Sequence, residues 1–151
     1  LQQILILPGQ RSDEIGMTDH STFQKVYNIF KFHIKRIDVL ILSYNITEWE
    51  SFLNLETWLN ITSRLTNPST SFILVGTHLD REPWREVPHE DRHTAAANLP
   101  GLIKSYNPGW QGTFSSLEVS VLNGKNLDAL RRKVSIALLE ALELKTASQR
   151  S

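Results

Sequence analysis

The 151-residue sequence contains no cysteine, which excludes a disulfide framework and any thiolate site and fits a cytoplasmic location. It also has no excess of charge, because 16 basic residues balance 16 acidic ones. A bulk electrostatic attraction to nucleic acid or to a membrane surface is therefore not expected. No apolar run reaches the roughly 20 residues that a membrane-spanning helix needs, and no signal peptide is visible. The composition, 40% hydrophobic and 21% charged, is that of one globular domain.

The histidines offer no convincing set of metal ligands. His89 and His93 are four residues apart and would share the face of a helix. Pro88 and Asp91 instead favour a loop over this stretch, which we expect to extend from residue 81 to residue 92. We therefore predict no metal site from the side chains present.

Short apolar runs alternate with stretches of helical periodicity along the chain. The expected strands are residues 3–7, 38–44, 71–76 and 114–120. The expected helices are residues 23–35, 47–66, 93–106 (divided at Pro100-Gly101) and 127–144. This alternation predicts an α/β fold, a mostly parallel sheet covered by helices on both faces in a three-layer sandwich.

Local signals refine two of these helices. Thr47 and Glu50 have the spacing of a capping box, which would start the second helix. Asn126 is the expected cap of the last helix, and residues 145–151 are expected to form a frayed tail. The apolar stripe expected to be buried on that helix consists of Leu127, Leu130, Val134, Ala137, Leu138, Ala141 and Leu142.

The third strand ends in a polar segment that contains a single acid. The run Ser71–Gly76 is followed at once by Thr77-His78-Leu79-Asp80. In parallel α/β sheets, ligands bind at the carboxyl ends of the strands. The loops 8–10, 76–80 and 120–122 each follow a predicted strand, so we expect them to converge at this edge.

Gly76-Thr77-His78-Leu79-Asp80 resembles the base-recognition segment of Ras-like GTPases. The closest resemblance is to the Roc-type domains of Roco proteins, where Gly-Thr-His-Leu-Asp replaces the more common Asn-Lys-x-Asp. The upstream Tyr44-Asn45-Ile46-Thr47, followed by Ser51-Phe52, is also typical of that group. The resemblance covers nearly the whole chain but only the later part of such a domain, and it implies the fold of a P-loop NTPase.

This resemblance implies roles for the residues after the third and fourth strands. Asp80 would accept hydrogen bonds from N1 and N2 of guanine, while Thr77 and His78 would brace the loop and flank the base. Ser120-Val121-Leu122 stands where the family has Ser-Ala-Lys, the loop that supports the guanine oxygen and the acid. The amide of Val121 remains available as a donor, but Leu122 replaces the basic residue.

Pro8-Gly9-Gln10 resembles the entry to switch II. The resemblance implies that the amide of Gly9 senses the γ-phosphate and that Gln10, the catalytic position, orients the attacking water. The acid that holds the water shell of Mg²⁺ in the family is Ile6 here. We therefore expect slow hydrolysis.

The sequence contains no Gly-x-x-x-x-Gly-Lys-Ser/Thr, the loop that holds nucleotide phosphates. The chain begins at Leu1 within a strand-like run, which favours a sequence cut inside a domain. We therefore expect residues 3–144 to form a partial domain that lacks the N-terminal strand, P-loop and helix. GTPase activity and Mg²⁺ binding are expected only if the intact protein carries that segment.

Two functions remain open from the sequence. The first is a GTP- and GDP-binding switch that controls neighbouring domains or protein partners of a larger signalling chain. The second is a pseudo-GTPase interaction module that keeps the fold and has lost the nucleotide, as the changes at Ile6 and Leu122 suggest. The sequence of the intact protein upstream of Leu1 would distinguish them.

Overall fold

The computed structural model describes residues 28, 31 and 34–150, with the backbone alone at residue 35. The predicted strand at residues 3–7 and the segment Gly9-Gln10 lie outside the described residues. So does most of the helix predicted at residues 23–35, although Asn28 and Lys31 are both helical. A short 3-10 turn, Ile34–Arg36, leads into the first described strand.

Three parallel strands form the described part of the sheet. They are β1 (Val39–Asn45), β2 (Ser71–Thr77) and β3 (Phe114–Glu118), in the spatial order β1-β2-β3. Both pairings are parallel, so all three carboxyl ends meet at one edge. The first six residues of β2 are buried, as expected for a central strand of a parallel sheet. The predicted strands and their parallel arrangement are confirmed for this part of the chain.

Helices cover the sheet on both faces. The described α-helices are α1 (Trp49–Leu53), α2 (Leu55–Leu65), α3 (His89–Tyr106) and α4 (Leu127–Arg150). Because side chains alternate along a strand, Phe72 and Leu74 pack into the cluster of α2 and α3, while Ile73 and Val75 face α4. The predicted three-layer α/β arrangement is therefore confirmed.

The expected capping box at Thr47 is wrong. Helix α1 begins at Trp49 with Glu48 as its N-cap, and the hydroxyl of Thr47 donates to Oδ1 of Asn45 over 2.8 Å. The Thr47 hydroxyl is thus bonded to Asn45 and does not cap the helix. The amide of Trp49 donates instead to the carboxylate of Glu86 over 2.9 Å. The expected single helix is also interrupted at Asn54, between α1 and α2.

Helix α3 is longer than the sequence suggests. It begins at His89, within the stretch expected to be a loop, and it passes through Pro100-Gly101 without interruption. Pro100 removes only one backbone donor, and its neighbours Leu99 and Ile103 are buried in the core. This burial keeps the turn around the proline helical.

Helix α4 also extends beyond its predicted end. It remains helical to Arg150, where a frayed tail was expected, and the ammonium group of Lys145 pairs with the carboxylate of Asp38. Ala137 and Ala141 are buried as predicted, but Leu142 is 55% exposed and does not belong to the buried stripe. Among the described residues, no helix has both the length and the apolar composition that a membrane crossing requires.

Candidate functional site

The segment Thr77–Asp80 leaves β2 at the carboxyl edge of the sheet. His78 adopts the left-handed conformation, with φ 66° and ψ 33°, which turns the chain sharply after the strand. A 3-10 helix, Leu79–Trp84, begins at the next residue. The amide of Leu79 donates to the carbonyl of Val119 over 3.0 Å. The loop after β2 is thereby fixed to the end of β3.

The hydroxyl of Ser120 donates to Oδ1 of Asp80 over 2.6 Å. Ser120 is fully buried, whereas Asp80 is partly exposed. This hydrogen bond is the main cause that lowers the pKa of Asp80 below its ordinary value. The carboxylate is therefore ionised near neutral pH and held in a fixed position, with acceptor sites left for a ligand.

Thr77 and His78 form the brace on the other side of Asp80. The hydroxyl of Thr77 donates to the carbonyl of Tyr44 over 3.2 Å, which joins β2 to the end of β1. The same oxygen lies 2.8 Å from Nδ1 of His78. The His78 side chain is exposed. The contact orients its imidazole beside the segment that carries Asp80.

The loop after Ser120 exposes two apolar side chains. Val121 and Leu122 are 76% and 84% exposed, although both are residues that normally lie in a core. The loop itself is anchored, because the amide of Ser120 donates to the carbonyl of Lys125 over 3.0 Å. Nδ2 of Asn126 also donates to the carbonyl of Glu118 over 2.8 Å.

The position of Gly76 has no room for a side chain. A Cβ at this position would lie 2.8 Å from the hydroxyl oxygen of Tyr44 and 3.0 Å from Cγ of Glu118. Both neighbours are buried, with exposed fractions of 2% and 7%. The first residue of the segment Gly76–Asp80 thus lies between two buried polar side chains.

A buried ion cluster lies beneath this edge, and the sequence did not predict it. Nη2 of Arg85 donates to both carboxylate oxygens of Glu118, over 2.9 and 2.8 Å. Arg85 also forms two hydrogen bonds with Glu82, each 2.7 Å long, while Nη1 of Arg92 lies 3.8 Å from Glu118. The available signal was Glu118, the charged residue of strand β3, since buried carboxylates are almost always paired.

The cluster shifts the titration of its members. The hydrogen bonds from Arg85 lower the pKa of Glu82 to about 2, and the hydrogen bonds that Arg85 donates to Glu82 and Glu118 raise its own pKa. Burial, helped by the charge of Glu118, raises the pKa of Tyr44 to about 12. Glu82 is largely exposed, so solvent weakens its part of the cluster.

At this edge the described residues present hydrogen-bond acceptors for a ligand. A fixed, ionised carboxylate at a sheet edge suits two adjacent N–H donors. Over residues 34–150, no group of three or more histidine, aspartate or glutamate side chains is arranged to hold a metal. His89 and His93 do share helix α3, but Nδ1 of His93 contacts the carbonyl of His89 over 2.6 Å.

The sequence-predicted site is brought together only in part. Thr77, His78, Asp80 and Ser120 are adjacent at one edge, and Val121 and Leu122 follow in the same loop. Gly9 and Gln10 lie outside the described residues, so their position relative to this edge stays a prediction. The roles of all these residues in binding are likewise predictions.

A parallel sheet with polar side chains at its carboxyl edge is the arrangement of ligand-binding α/β domains. The Ras family model matches residues 11–104, and the chain belongs to that family. It is 28% identical over 105 residues to Ras-related protein Rab-12 of Mus musculus, and equally to that of Homo sapiens. Each match covers 66% of this chain and 43% of the relative, so the chain spans less than half the length of these relatives.

Proposed function

We propose that this chain is the base-recognition part of a guanine-nucleotide-binding switch of the Roc type. The observation that carries the proposal is the hydrogen bond from Ser120 to Asp80, which fixes an ionised carboxylate at the carboxyl edge of the sheet. The segment Gly76–Asp80 supplies the resemblance to Roc-type domains, and membership of the Ras family supports the guanine nucleotide as ligand.

The chemistry of guanine matches this carboxylate. Guanine presents an N1 hydrogen and an N2 amino group on one edge, and one carboxylate accepts from both. Adenine has no N1 hydrogen, so it would leave an acceptor of Asp80 without a donor, which is costly in a site built for hydrogen bonding. Thr77 and His78 would hold the loop against the base, and the amide of Val121 would donate to the guanine oxygen.

Phosphate binding and hydrolysis depend on residues that this chain does not contain. The sequence contains no P-loop lysine, and Ile6 replaces the acid associated with Mg²⁺. We propose GTP hydrolysis, with Gly9 and Gln10 in the moving loop, only for a protein that also carries the P-loop segment. In that protein the domain would act as a cytoplasmic signalling switch for adjacent domains or protein partners.

A second function, a pseudo-GTPase interaction module, is favoured by one specific observation. Val121 and Leu122 expose apolar surface at the place where the family has a basic residue beside the base. Exposed apolar side chains at a recognition edge suit a protein contact. In this alternative, Asp80 and Ser120 would serve only the packing of the loop.

Base-selective binding by the chain itself separates the two functions. The measurement is a titration of the ¹⁵N-labelled chain with GMP and with AMP, followed by amide chemical shifts. We expect GMP to shift residues 77–80 and 120–122 with a dissociation constant of about 1 mM, equivalent to about −4 kcal/mol, and AMP to bind about tenfold more weakly.

Comparing the affinities for GTP and GMP tests whether this chain binds the nucleotide phosphates. Because no lysine-bearing loop holds the phosphates, GTP should bind this chain no more than about tenfold more tightly than GMP, a difference of about 1.4 kcal/mol. Equal shifts with GMP and AMP, or none with either, would contradict base recognition. Nanomolar affinity for GTP would instead contradict the expected loss of phosphate binding.

A further inference from the structure

The Arg85–Glu118 ion pair is buried and fully engaged. The two side chains are 9% and 7% exposed, and the shorter contact, from Nη2 to Oε2, is 2.8 Å. The remaining donors of Arg85 are also used, since Nη1 donates to the carbonyl of Val87 over 3.0 Å and Nε donates to Glu82. The guanidinium group thus lies at the centre of a fixed network.

A buried ion pair of this kind is weak evidence for stability alone. The cost of removing both charges from water consumes most of the attraction between them, and well-packed apolar side chains often stabilise such a position equally. What the pair provides is geometry, because a guanidinium and a carboxylate fix both the distance and the orientation of the backbone segments that carry them. The position of Arg85 and Glu118 in the fold shows which distance they fix.

Each member of the pair lies close in the chain to one half of the candidate site. Arg85 follows Asp80 by five residues at the end of the same 3-10 segment, and Glu118 precedes Ser120 by two residues. The backbone of Glu118 is held as well, since its carbonyl accepts a hydrogen bond from Asn126 beyond the loop. The ion pair therefore connects the segment that follows Asp80 to the strand end that precedes Ser120.

The residues next to Arg85 connect this edge to the loop that follows β1. The amides of Glu86 and Val87 both donate to the carbonyl of Ile46, over 2.9 and 3.1 Å. The carboxylate of Glu86 accepts from the amide of Trp49, at the start of α1. One short segment, residues 85–87, thus contacts the loop that follows β1 and the last residue of β3.

We propose that Arg85 and Glu118 are positioning residues that hold Asp80 and Ser120 at hydrogen-bonding distance and so set the base selectivity of the site. The selectivity part rests on the proposed function. The positioning part concerns the unliganded chain and is independent of any nucleotide. Neither residue touches the base in this proposal.

The test replaces both residues of the pair, so that neither charge is left buried without its partner. The variant Arg85→Met/Glu118→Met keeps similar side-chain volume, and the matched control Asp128→Asn/Arg131→Met removes an exposed ion pair of 3.5 Å on α4. The first readout is the pKa of the Asp80 carboxyl group by ¹³C NMR, recorded on folded protein. The second is the ratio of the dissociation constants for GMP and AMP.

We expect the buried double variant to fold cooperatively while the pKa of Asp80 rises toward the ordinary value of about 3.9. The dissociation constant for GMP should increase about tenfold, equivalent to about 1.4 kcal/mol, with weak AMP binding unaffected. The control should change neither quantity. An unchanged pKa of Asp80 in the folded double variant would overturn the proposal.

A second variant covers the case in which the double variant does not fold. Arg85→Lys keeps the positive charge but loses the forked donors that bind Glu118, and it should raise the pKa of Asp80 by a smaller amount. No rise in this variant would equally overturn the proposal. If the wild-type chain fails to bind GMP, the proposed function fails, while the pKa measurement still decides whether Arg85 and Glu118 position the loop.

Discussion

The hydroxyl of Ser120 lies 2.6 Å from the carboxylate of Asp80, although 40 residues separate them in the chain. The two side chains meet because β2 and β3 are parallel neighbours, so the residues just beyond their carboxyl ends are adjacent. The amide of Leu79 bonds to Val119 between them and keeps the two loops together. The carboxylate of Asp80 is therefore held in a defined direction at the edge of the sheet.

Replacing Asp80 with Asn should change which base the chain prefers. The side-chain amide offers one donor and one acceptor, which suits the C2 carbonyl and N1 hydrogen of xanthine better than guanine. We expect GMP binding to weaken on the order of tenfold and XMP binding to strengthen correspondingly, as measured by amide shift titrations. The exposed Asp128→Asn should leave both unchanged. A variant that keeps wild-type GMP binding and gains no XMP binding would remove Asp80 from base recognition.

Replacing Ser120 with Ala should make stability less dependent on acid pH. The folded-state pKa of Asp80 is lowered, so this group stabilises the fold above its unfolded pKa of about 3.9 and ceases to do so as pH falls through the folded value. The difference in free energy of unfolding between wild type and variant should therefore be largest above about pH 5 and shrink toward pH 2.

Urea unfolding at a series of pH values measures this difference. The control is Ser105→Ala, which removes an exposed hydroxyl that donates to the carbonyl of Leu102 within helix α3. Its effect should be the same at every pH. A difference between wild type and Ser120→Ala that stays constant between about pH 5 and pH 2 would show that the serine does not stabilise the ionised carboxylate.

Two glycines should respond to alanine in opposite directions. A Cβ at Gly112 would overlap the carbonyl oxygen of Thr70, the acceptor of a 2.6 Å hydrogen bond from Trp110, and we expect a loss of about 1–3 kcal/mol. At Gly101, inside α3, a Cβ meets nothing within 4 Å, and alanine should add about 0.5–1 kcal/mol. Chemical denaturation of both variants measures the changes. Equal signs would contradict the packing described around Gly112.

Removing the carboxylate of Glu86 should destabilise the start of helix α1. Its oxygen accepts from the amide of Trp49, a role usually played by a nearby cap residue. We expect Glu86→Ala to cost about 0.5–1 kcal/mol and Glu86→Gln, which keeps an acceptor oxygen, to cost less. Exposed Glu143→Ala on α4 is the control. Faster amide exchange at Trp49 in Glu86→Ala alone would locate the effect at the cap.

The sequence predicted the strands well because their patterns are short and unambiguous. Leu40, Leu42, Phe72 and Leu74 lie in apolar runs too brief for helices, and all four are buried. Asp80 and Ser120 were expected to lie together because each stands at or just beyond the carboxyl end of a predicted strand, and the structure places them in contact. Their pairing then needed only the parallel arrangement of the strands.

Three of the differences share one cause, which is that tertiary contacts outweighed local signals. Thr47 looked like a cap, but Asn45 bonds to it and Glu86 replaces it. Pro100 looked like a helix end, but buried Leu99 and Ile103 hold the helix together. The pairing of Arg85 with Glu118 bridges 33 residues, and no local pattern indicates it.

The left-handed backbone of His78 restricts which residues can replace it. With φ at 66°, β-branched side chains such as valine, isoleucine or threonine are strained there, while asparagine, aspartate and glycine adopt the conformation most easily. A saturation library at this position, selected only for folded protein, should be depleted of the β-branched residues. The backbone conformation at position 78 thus limits which side chains can stand there, whether or not a ligand binds.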